Sequence, residues 1–516
     1  MKSSFYEILI SMHFLRRHRF FDSKRFKAFL AILLILLALP VLILLVNHQT
    51  SLEHHATTKA PVSKNDNNAA TNGNLYYVSK NGNNADGKSW TTAWNELNQI
   101  NWSVIQPGDT ILLDGGTNGM TYTTTLSIGK SGLQALPIAI QRATDSGHNG
   151  QIILFGGSNT PLPYCGQTTW TPPTDALGYA IRLNGNSWVT INGESWDGIQ
   201  IHGFTYRTVY FSGGESNDTM SDMEIYDNGS AYQSGGTWWS EFPGIGLYGA
   251  NYANLTFRYM NIHDNGEDNF QSNGSVNGFT VEYSWLHYTR TVPGVPSESY
   301  NLCTHNDGFQ IFGATNAGAN ITFQHDILGP GLTNGLIFQP QEANVTLKNS
   351  LVIDPGSNVT VENTGSSSNW TIDHVTAIGQ SDNLTLEGSG NTVTNSIFYD
   401  GNLLLNNSVA RSANNCQWRT ANNTNQISGQ AIDPQFVSDI SSYPAVTGDI
   451  TQYPPIGWLQ NTADFSLKPT SPCLGAGSPV TSVSQFLSLV STQPTVKSVS
   501  IRSPNQVSSC CQRNSS

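Results

Sequence analysis

The sequence predicts an all-β protein built as a solenoid, in which the chain winds through a series of similar coils. The composition and a repeated motif lead to this prediction. Only 12% of the 516 residues are charged, and Gly, Asn, Ser and Thr are abundant, which is typical of strands and turns rather than helices. A short alternating pattern of apolar and polar residues recurs along the centre of the chain, and no helical period accompanies it.

The repeated pattern begins at intervals of 24, 42, 24, 25 and 21 residues. The six segments are LTFRYMNI (255–262), FTVEYSWL (279–286), ITFQHDIL (321–328), VTLKNSLV (345–352), WTIDHVTAI (370–378) and NTVTNSIF (391–398). A period of strands and turns of this length indicates stacked coils, with equivalent residues in columns about 4.8 Å apart. The fifth positions are Tyr259, Tyr283, His325, Asn349, His374 and Asn395. We predict that they form a semi-buried polar ladder, so His325 and His374 are discounted as catalytic residues.

Both ends of the predicted solenoid carry further motifs. The start reads LYYVSKNGNNADGKSWTTAWNELNQI and then IQPGDTILLDGGT (75–117), and the end reads DPQFV (433–437) and then DFSLKPTSPCLGAGS (464–478). These motifs resemble the opening and closing coils of right-handed parallel β-helix proteins of the pectate-lyase-like superfamily. The resemblance implies a right-handed parallel β-helix with a short N-terminal capping helix. It leaves the chemistry open, because this superfamily includes lyases, hydrolases, epimerases and proteins without activity.

The regions outside the solenoid predict a membrane-anchored protein. Residues 29–46 are apolar and uncharged, which predicts a single transmembrane signal anchor. Residues 1–28 carry seven Lys and Arg and are predicted to be cytoplasmic. Residues 47–74 form a predicted flexible stalk, 75–480 the β-helix domain and 481–516 a disordered tail. The alternative is a cleaved signal peptide and secretion, and in both cases the main domain is extracellular.

Charge limits the partners of the exterior part. The chain has a formal net charge of −12, and the first 46 residues contain seven of its 24 basic and two of its 36 acidic residues, which leaves −17 for the rest. This acidity argues against nucleic acid. It would also repel an anionic polymer unless a cation such as Ca²⁺ mediates. Six Cys show no metal-type spacing, and they allow one or two disulfides whose pairing the sequence does not reveal.

A second strand precedes the repeated one by about 11 residues. It reads GIGLYG (244–249), DNFQS (268–272), DGFQIFG (307–313) and NGLIFQ (334–339). In this alignment Asp268, Asp307 and Asn334 form one column on consecutive coils. Asp-Gly and Asn-Gly also favour turns, so a structural role for the two carboxylates is an equal alternative to a functional one.

Two intervals exceed the period and predict insertions. Ile225 and Ile262 occupy equivalent positions 37 residues apart, and Phe279 and Ile321 are 42 apart. The extra residues lie near 230–243 and 288–304. Insertions that leave one face of a solenoid form the walls of a binding groove.

The predicted groove contains groups suited to carbohydrate. Trp238 and Trp239 lie on one wall and Arg290 on the other, and aromatic rings stack on sugar faces while carboxylates and amides bind hydroxyls. The residues expected between the walls are His263, Glu267, Asp268, His287, His305 and Asp307.

We therefore predict a carbohydrate-active protein that cleaves an acidic polysaccharide by β-elimination. The predicted catalytic residues are Asp268, Asp307, His263, His287 and His305, the predicted substrate-binding residues are Trp238, Trp239, Arg290, Gln271 and Gln310, and the predicted Ca²⁺ ligands are Glu267, Asp268 and Asp307. A β-elimination needs a base, supplied here by a histidine, and a cation beside the uronate carboxylate. The alternatives are a glycoside hydrolase, with Asp268 and Asp307 as acid and base, and a surface protein that binds a glycan or a partner without catalysis.

Overall fold

The structure is a computed structural model that describes residues 73–163, 167, 169–288, 306–312, 318–339, 342–353, 361–363, 368–379, 382–405, 408–420, 429–440 and 456–492. The described residues form a parallel β-helix, which confirms the predicted all-β solenoid. The predicted anchor at 29–46 lies outside these residues. No helix within them has the length and apolar character needed to cross a bilayer.

Most of the described strands belong to two parallel sheets, called sheet A and sheet B here, with strands numbered in chain order. Sheet A contains β1 (Leu75–Val78), β2 (Thr110–Leu113), β3 (Met120–Tyr122), β5 (Ile138–Arg142), β6 (Ile152–Phe155), β8 (Val189–Asn192), β9 (Ile199–His202), β11 (Thr219–Tyr226), β15 (Tyr252–His263), β17 (Val276–Glu282), β18 (Trp285–His287), β20 (Gly318–Gln324), β21 (Ile327–Leu328), β23 (Glu342–Lys348), β24 (Leu351–Ile353), β26 (Thr371–Asp373), β27 (Thr376–Ile378), β29 (Asn391–Thr394), β30 (Ile397–Tyr399), β32 (Val409–Ala413), β33 (Asn415–Trp418) and β34 (Gly429–Ala431). Sheet B contains β4 (Leu126–Ser127), β7 (Ile181–Arg182), β10 (Val209–Phe211), β14 (Ile245–Leu247), β16 (Phe270–Ser272), β19 (Asp307–Ile311), β22 (Asn334–Phe338), β25 (Val361–Asn363), β28 (Asp382–Thr385) and β31 (Asn402–Leu404).

The predicted registers are confirmed across both long intervals. Ile225 pairs with Ile262 in β11 and β15, and Phe279 pairs with Ile321 in β17 and β20. The repeated segments therefore stack one above another, as their spacing predicted. The first insertion forms an antiparallel hairpin of β12 (Ser230–Ser234) and β13 (Thr237–Glu241). Of the second insertion, 288–304, only the first residue is described.

Sheet A bends along the predicted polar ladder. All six ladder residues have positive φ between 50° and 60°, so each turns the chain through a left-handed conformation. Neighbouring side chains stack, with ring centroids 5.5 Å apart for Tyr259 and Tyr283 and 4.8 Å apart for Tyr283 and His325. Asn349 Nδ2 lies 3.2 Å from His325 Nε2. These contacts are consistent with the predicted role of His325 in the polar ladder.

Directly after the bend, a second column of polar residues points into the β-helix. The Ser284 hydroxyl accepts a hydrogen bond from the Met260 amide, and Asp326 Oδ1 accepts one from the Ser284 amide at 2.8 Å. The Ser350 hydroxyl accepts a hydrogen bond from the Asp326 amide. Each residue in this inner ladder satisfies a backbone donor of the preceding coil, which a buried turn needs.

The centre of the β-helix is packed with phenylalanine. Phe309 is fully buried, and its ring centroid lies 4.9 Å from that of Phe279 and 5.4 Å from those of Phe323 and Phe338. Alternation along each strand points one set of side chains into this core and the other outward. Outward residues of neighbouring coils therefore form continuous surface columns.

The N-terminal end is closed by a single 3-10 turn, Leu97–Gln99, where a short capping helix was expected. Trp94 and Leu97 are buried there, and the Trp94 ring stacks on Tyr76 at 5.5 Å. The turn protects the first coil from solvent with few residues.

The C-terminal segment, residues 456–492, differs from the sequence prediction. It contains α1 (Ile456–Asn461) and α2 (Val483–Ser491), although a disordered tail was expected from residue 481. Ser482 caps α2, and Val483, Phe486 and Val490 are buried in an apolar cluster with outward residues of sheet A. The tail prediction fails for these residues because α2 has an apolar face and a surface to bury it against.

One described disulfide fixes the C-terminal segment to the coils. Cys416 of β33 is bonded to Cys473. Nearby, the Gly477 amide donates to the Asn395 carbonyl and the Ser478 amide to Thr376 Oγ1. The segment therefore runs back along the outer face of sheet A.

Candidate functional site

A surface cleft lies on the outer face of sheet B. The outward column of this sheet runs through Arg182, Tyr210, Gly246, Gln271, Gln310 and Ile337, which pair coil by coil. A cavity of about 320 Å³ opens over its middle coils. The cavity is lined by Arg207, Glu241, Phe242, Tyr248, Glu267, Gln271, Gln310, Phe312 and Gln339.

The β12–β13 hairpin stands at this cleft, as the first predicted wall. Its turn is Gly235-Gly236, and both residues have positive φ, which a tight two-residue hairpin turn requires. Trp239 is 40% exposed, whereas Trp238 faces the other side and packs edge-on against Trp170 at 5.1 Å. The two predicted tryptophans therefore have different environments, and Trp239 is the more exposed of the two.

The base of the hairpin brings two carboxyl groups to the cavity. Glu241 is the last residue of β13, and Glu267 lies in the turn before β16. Burial raises the pKa of Glu241, the charge of Glu267 raises it further, and Arg207 acts in the opposite direction. The Phe242 amide donates to Glu267 Oε2 at 3.3 Å, which orients that carboxylate. The pair thus combines a carboxyl group that retains its proton more readily with a fixed second carboxylate.

Arg207 occupies the middle of the cleft beside this pair. Its guanidinium carbon lies 3.6 Å from the centroid of the Tyr248 ring and 4.8 Å from that of Tyr206. Gly246 makes room for this arrangement, because a Cβ there would lie 2.7 Å from Cε2 of Tyr248 and 3.4 Å from Cγ of Arg207. A side chain at this position of the column would displace the Tyr248 ring on which Arg207 is stacked.

A second arginine extends the cleft toward the earlier coils. The guanidinium carbon of Arg182 lies 4.8 Å from the centroid of the Tyr179 ring, which stacks on Tyr210 at 5.3 Å. Tyr179 also contacts Tyr206 edge-on at 5.2 Å. Among the described residues, neither Arg182 nor Arg207 has a carboxylate within 4.0 Å. Two cationic groups on tyrosine rings therefore lie next to the cavity.

The floor of the cavity is a network of amides. Gln271 Nε2 donates to Gln310 Oε1 at 3.2 Å and to Asp268 Oδ2 at 2.9 Å, and its Oε1 accepts the Tyr248 hydroxyl. Gln271 and Gln310, predicted to bind substrate, both line the cavity. Their orientation depends on Asp268, which lies behind them.

The predicted column of Asp268, Asp307 and Asn334 is present, but it is buried. Asp268 Oδ1 accepts the Asp307 amide at 2.9 Å, and Asp307 Oδ1 accepts the Asn334 amide at 3.0 Å. Asp268 is 0% exposed and Asp307 1%. Each carboxylate thus satisfies the backbone of the next coil. Neither of them lines the cavity, so the expected acid and base pair does not form at these positions.

His263 and His287 share a column, as predicted, with ring centroids 4.6 Å apart. They lie on sheet A rather than sheet B, and neither lines the cavity. Burial alone would lower the pKa of His263, but hydrogen bonds to Asp264 and Glu224 outweigh it and raise this pKa to about 9. Burial, and then the charge of His263, lower the pKa of His287 well below its usual range. His263 is therefore a paired cation and His287 a buried neutral ring.

Two predicted site residues and the predicted Ca²⁺ site remain. His305 and Arg290 lie outside the described residues. Glu267 lines the cavity, while Asp268 and Asp307 are buried and hydrogen-bonded, so these three side chains do not fit the expected shared Ca²⁺ site. Within the described ranges, no group of three His, Cys, Asp or Glu side chains is arranged to hold a metal ion.

Glu241, Arg207 and Tyr248 were not among the residues predicted from the sequence. Glu241 lay inside the predicted insertion, so its proximity to the groove could have been inferred. Its orientation depends on the hairpin register, in which Ser230 pairs with Glu241. Arg207 precedes β10, and no motif in the sequence marked it as a site residue.

Comparisons with known proteins add distant similarities. No protein-family model matches the chain, and no curated protein matches it. Among solved structures, the pectate lyase Pel9A is 16% identical with a TM-score of 0.42 over 80% of this chain and 94% of that one. XylC, solved in complex with xylose, is 9% identical with a TM-score of 0.42 over 67% and 75% of the two chains. A rhamnogalacturonan lyase is 12% identical with a TM-score of 0.36 over 78% and 99%. The fold assignment rests on the strand pairings of this chain.

Proposed function

We propose that this protein cleaves a glycan by hydrolysis in the cleft on sheet B. The observation that carries the proposal is the pairing of Glu241 with Glu267 in one cavity, where burial and a neighbouring charge raise the pKa of Glu241. Glycosidases use an acid that keeps its proton beside a carboxylate that does not.

The two carboxyl groups have distinct roles in this proposal. Glu241 donates its proton to the glycosidic oxygen as the bond to the anomeric carbon breaks, so the leaving sugar departs as a neutral hydroxyl. Glu267, oriented by the Phe242 amide, accepts a proton from the water molecule whose oxygen bonds to the anomeric carbon, and its charge stabilises the positive charge that develops on the sugar. Gln271 and Gln310 bind hydroxyl groups of the sugar at the floor of the cleft.

Arg182 and Arg207 support an anionic glycan as the substrate. In a chain of net charge −12, these two guanidinium groups lie on adjacent coils and are stacked on tyrosine rings, and Arg207 lines the cavity. A guanidinium group binds a carboxylate or sulfate with two parallel hydrogen bonds. Sugars that carry such groups would therefore bind on the coils next to the carboxyl pair.

β-Elimination is the second candidate, and Arg207 favours it. A guanidinium group beside the reacting sugar can neutralise a uronate carboxylate, which the reaction requires. Two of the three predicted histidine bases do not support it, because His263 is a paired cation and His287 is buried on sheet A; the third, His305, lies outside the described residues. Hydrolysis needs only groups that line the cavity.

We further propose that the domain works outside the cell, held by residues 29–46. The basic segment before this stretch and the disulfide between Cys416 and Cys473 support an exterior location, because structural disulfides persist in oxidising compartments. In untreated cells the domain should be found in the membrane fraction. Protease treatment of intact cells should then digest it. Recovery of the untreated domain in the medium would instead indicate a cleaved signal peptide.

The function is tested on a panel of uronic, sulfated and neutral polysaccharides, by following reducing ends together with ultraviolet absorbance of unsaturated products. New reducing ends without absorbance are expected, and Glu241→Gln and Glu267→Gln should each lower kcat by about 10²–10⁴-fold. Asn277→Ala, an outward change on sheet A, is the control. Rising absorbance would replace hydrolysis by elimination. Retention on a polysaccharide gel without cleavage would identify a binding protein.

A further inference from the structure

The β12–β13 hairpin exposes a pair of aromatic rings beside the cleft. Tyr232 and Trp239 are directly opposite each other in the hairpin register, and they are 45% and 40% exposed. Both rank among the few large apolar side chains that the described residues leave open to solvent. Such residues are costly to expose, so an adjacent pair indicates a binding function.

The register places this pair on the same face as Glu241. Residues two apart on a strand point the same way, and Trp239 and Glu241 are two apart on β13. Two residues of strand span roughly 6.6–6.8 Å, which is comparable to one sugar unit of a polysaccharide. A ring stacked on Trp239 would therefore belong to the sugar next to the one at Glu241.

The opposite face of the hairpin is anchored. Trp238 packs against Trp170, whose indole donates to the Pro161 carbonyl at 2.8 Å, and Ser240 is buried. At the base of the hairpin, Phe242 packs on Tyr206 at 4.3 Å. The exposed pair is thus held at a fixed position relative to the cleft, which lowers the entropy lost when a ligand binds.

We propose that Tyr232 and Trp239 form a sugar-stacking subsite, called the hairpin subsite here, which binds the glycan one unit away from the carboxyl pair. The apolar face of a pyranose packs on the two rings, while its hydroxyl groups remain in solvent. The assignment of the neighbouring unit to the cleavage site rests on the proposed hydrolysis. The hairpin subsite makes the protein select chains long enough to reach from the cleft to the hairpin.

A sugar fits this surface better than an apolar protein segment does. The pair is narrow, and Ser234, two residues from Tyr232 on the same face, is polar and exposed. Carbohydrate sites combine one or two rings with polar surroundings, whereas protein interfaces need a wider packed area.

The test measures binding apart from catalysis. Affinity electrophoresis in gels that contain polygalacturonate, alginate, hyaluronate, xylan or β-glucan identifies the polysaccharide that most retards Glu241→Gln, and oligosaccharides of that polymer are titrated calorimetrically. In this background, Trp239→Ala and Tyr232→Ala should each raise the Kd of long oligosaccharides about tenfold, which corresponds to about 1.4 kcal/mol. The Kd of the shortest oligosaccharides that bind should not change. Trp239→Phe should restore most of the affinity, and Gln233→Ala, on the opposite face, should have no effect.

Each outcome decides between the two proposals. Equal Kd values for Trp239→Ala and its parent, or no retardation in any gel, would overturn the hairpin subsite. Full cleavage by Glu241→Gln, together with the tenfold loss in Trp239→Ala, would overturn the catalytic assignment and leave the hairpin subsite standing. Thermal unfolding of each variant checks that the fold is retained.

Discussion

Asp326 offers the sharpest test of how the β-helix stacks. It is the acidic member of the inner ladder between Ser284 and Ser350, and it is 0% exposed. Burial raises its pKa well above the usual range, and the hydrogen bond from the Ser284 amide opposes this rise only in part. Oδ2 has no hydrogen-bond partner among the described residues. The folded protein therefore keeps the Asp326 proton to a higher pH than the unfolded chain does.

This pKa shift fixes the sign of a stability change with pH. Above about pH 3.9 the unfolded chain releases the Asp326 proton, while the folded chain keeps it. The unfolded state then binds fewer protons, so stability falls as pH rises toward the raised pKa of the folded state. The loss is about 1.4 kcal/mol for each pH unit within this window. Asp326→Asn keeps an acceptor for the Ser284 amide and has no proton to release.

Urea unfolding of the wild type and Asp326→Asn, followed by fluorescence at about pH 5 and about pH 6, measures this difference. The free energy of unfolding of the variant should gain about 1.4 kcal/mol relative to the wild type between the two pH values. A constant offset between the proteins does not matter, because only the change with pH is predicted. Parallel pH profiles would refute the neutral, buried carboxyl group.

Further predictions concern the cleft and the core. Asp268→Asn should raise KM about tenfold with little change in kcat, because Gln271 loses the carboxylate oxygen that orients it in the cleft, and should cost about 1–3 kcal/mol in urea unfolding, because one asparagine oxygen cannot accept from both Gln271 and the next coil. Arg207→Gln should move the alkaline limb of the kcat–pH profile upward, since Arg207 lowers the pKa of Glu241; an unchanged limb would contradict Glu241 as the acid. Phe309→Ala should cost about 3–5 kcal/mol in urea unfolding. Treatment with EDTA should leave activity intact, and its loss, restored by Ca²⁺, would contradict the metal-independent cleft.

Much of the fold could be predicted because the β-helix repeats. Successive coils share one register, so the spacing between Leu255, Phe279 and Ile321 was enough to align them, and the long intervals located the insertions. The left-handed bend could not be read from the fifth position, because tyrosine rarely adopts that conformation. The α2 helix could have been found. Val483, Phe486 and Val490 have helical spacing behind a capping serine, but the surrounding Ser and Thr suggested a tail.

The candidate site was located better than its chemistry was assigned. The insertion at 230–243 and the position of Trp238 and Trp239 on it followed from the sequence, because extra residues must leave the stacked coils, but which of the two tryptophans is exposed did not. The sequence could not show that Asp268 and Asp307 turn their carboxylates toward the backbone of the next coil. It also could not show that Glu241 lines the same cavity as Glu267, since this depends on a two-residue hairpin turn.

These outcomes suggest how to separate structural from functional polar residues in a β-helix. A polar residue that recurs in a column can be bonded to its neighbour in the next coil, as Asp268 is to Asp307. Such recurrence indicates stacking. Glu241 lies in an insertion, and Arg207 has Pro243 at its position on the next coil. Because no neighbouring coil repeats them, stacking does not account for these two residues, and this is why the proposed function assigns them to the cleft.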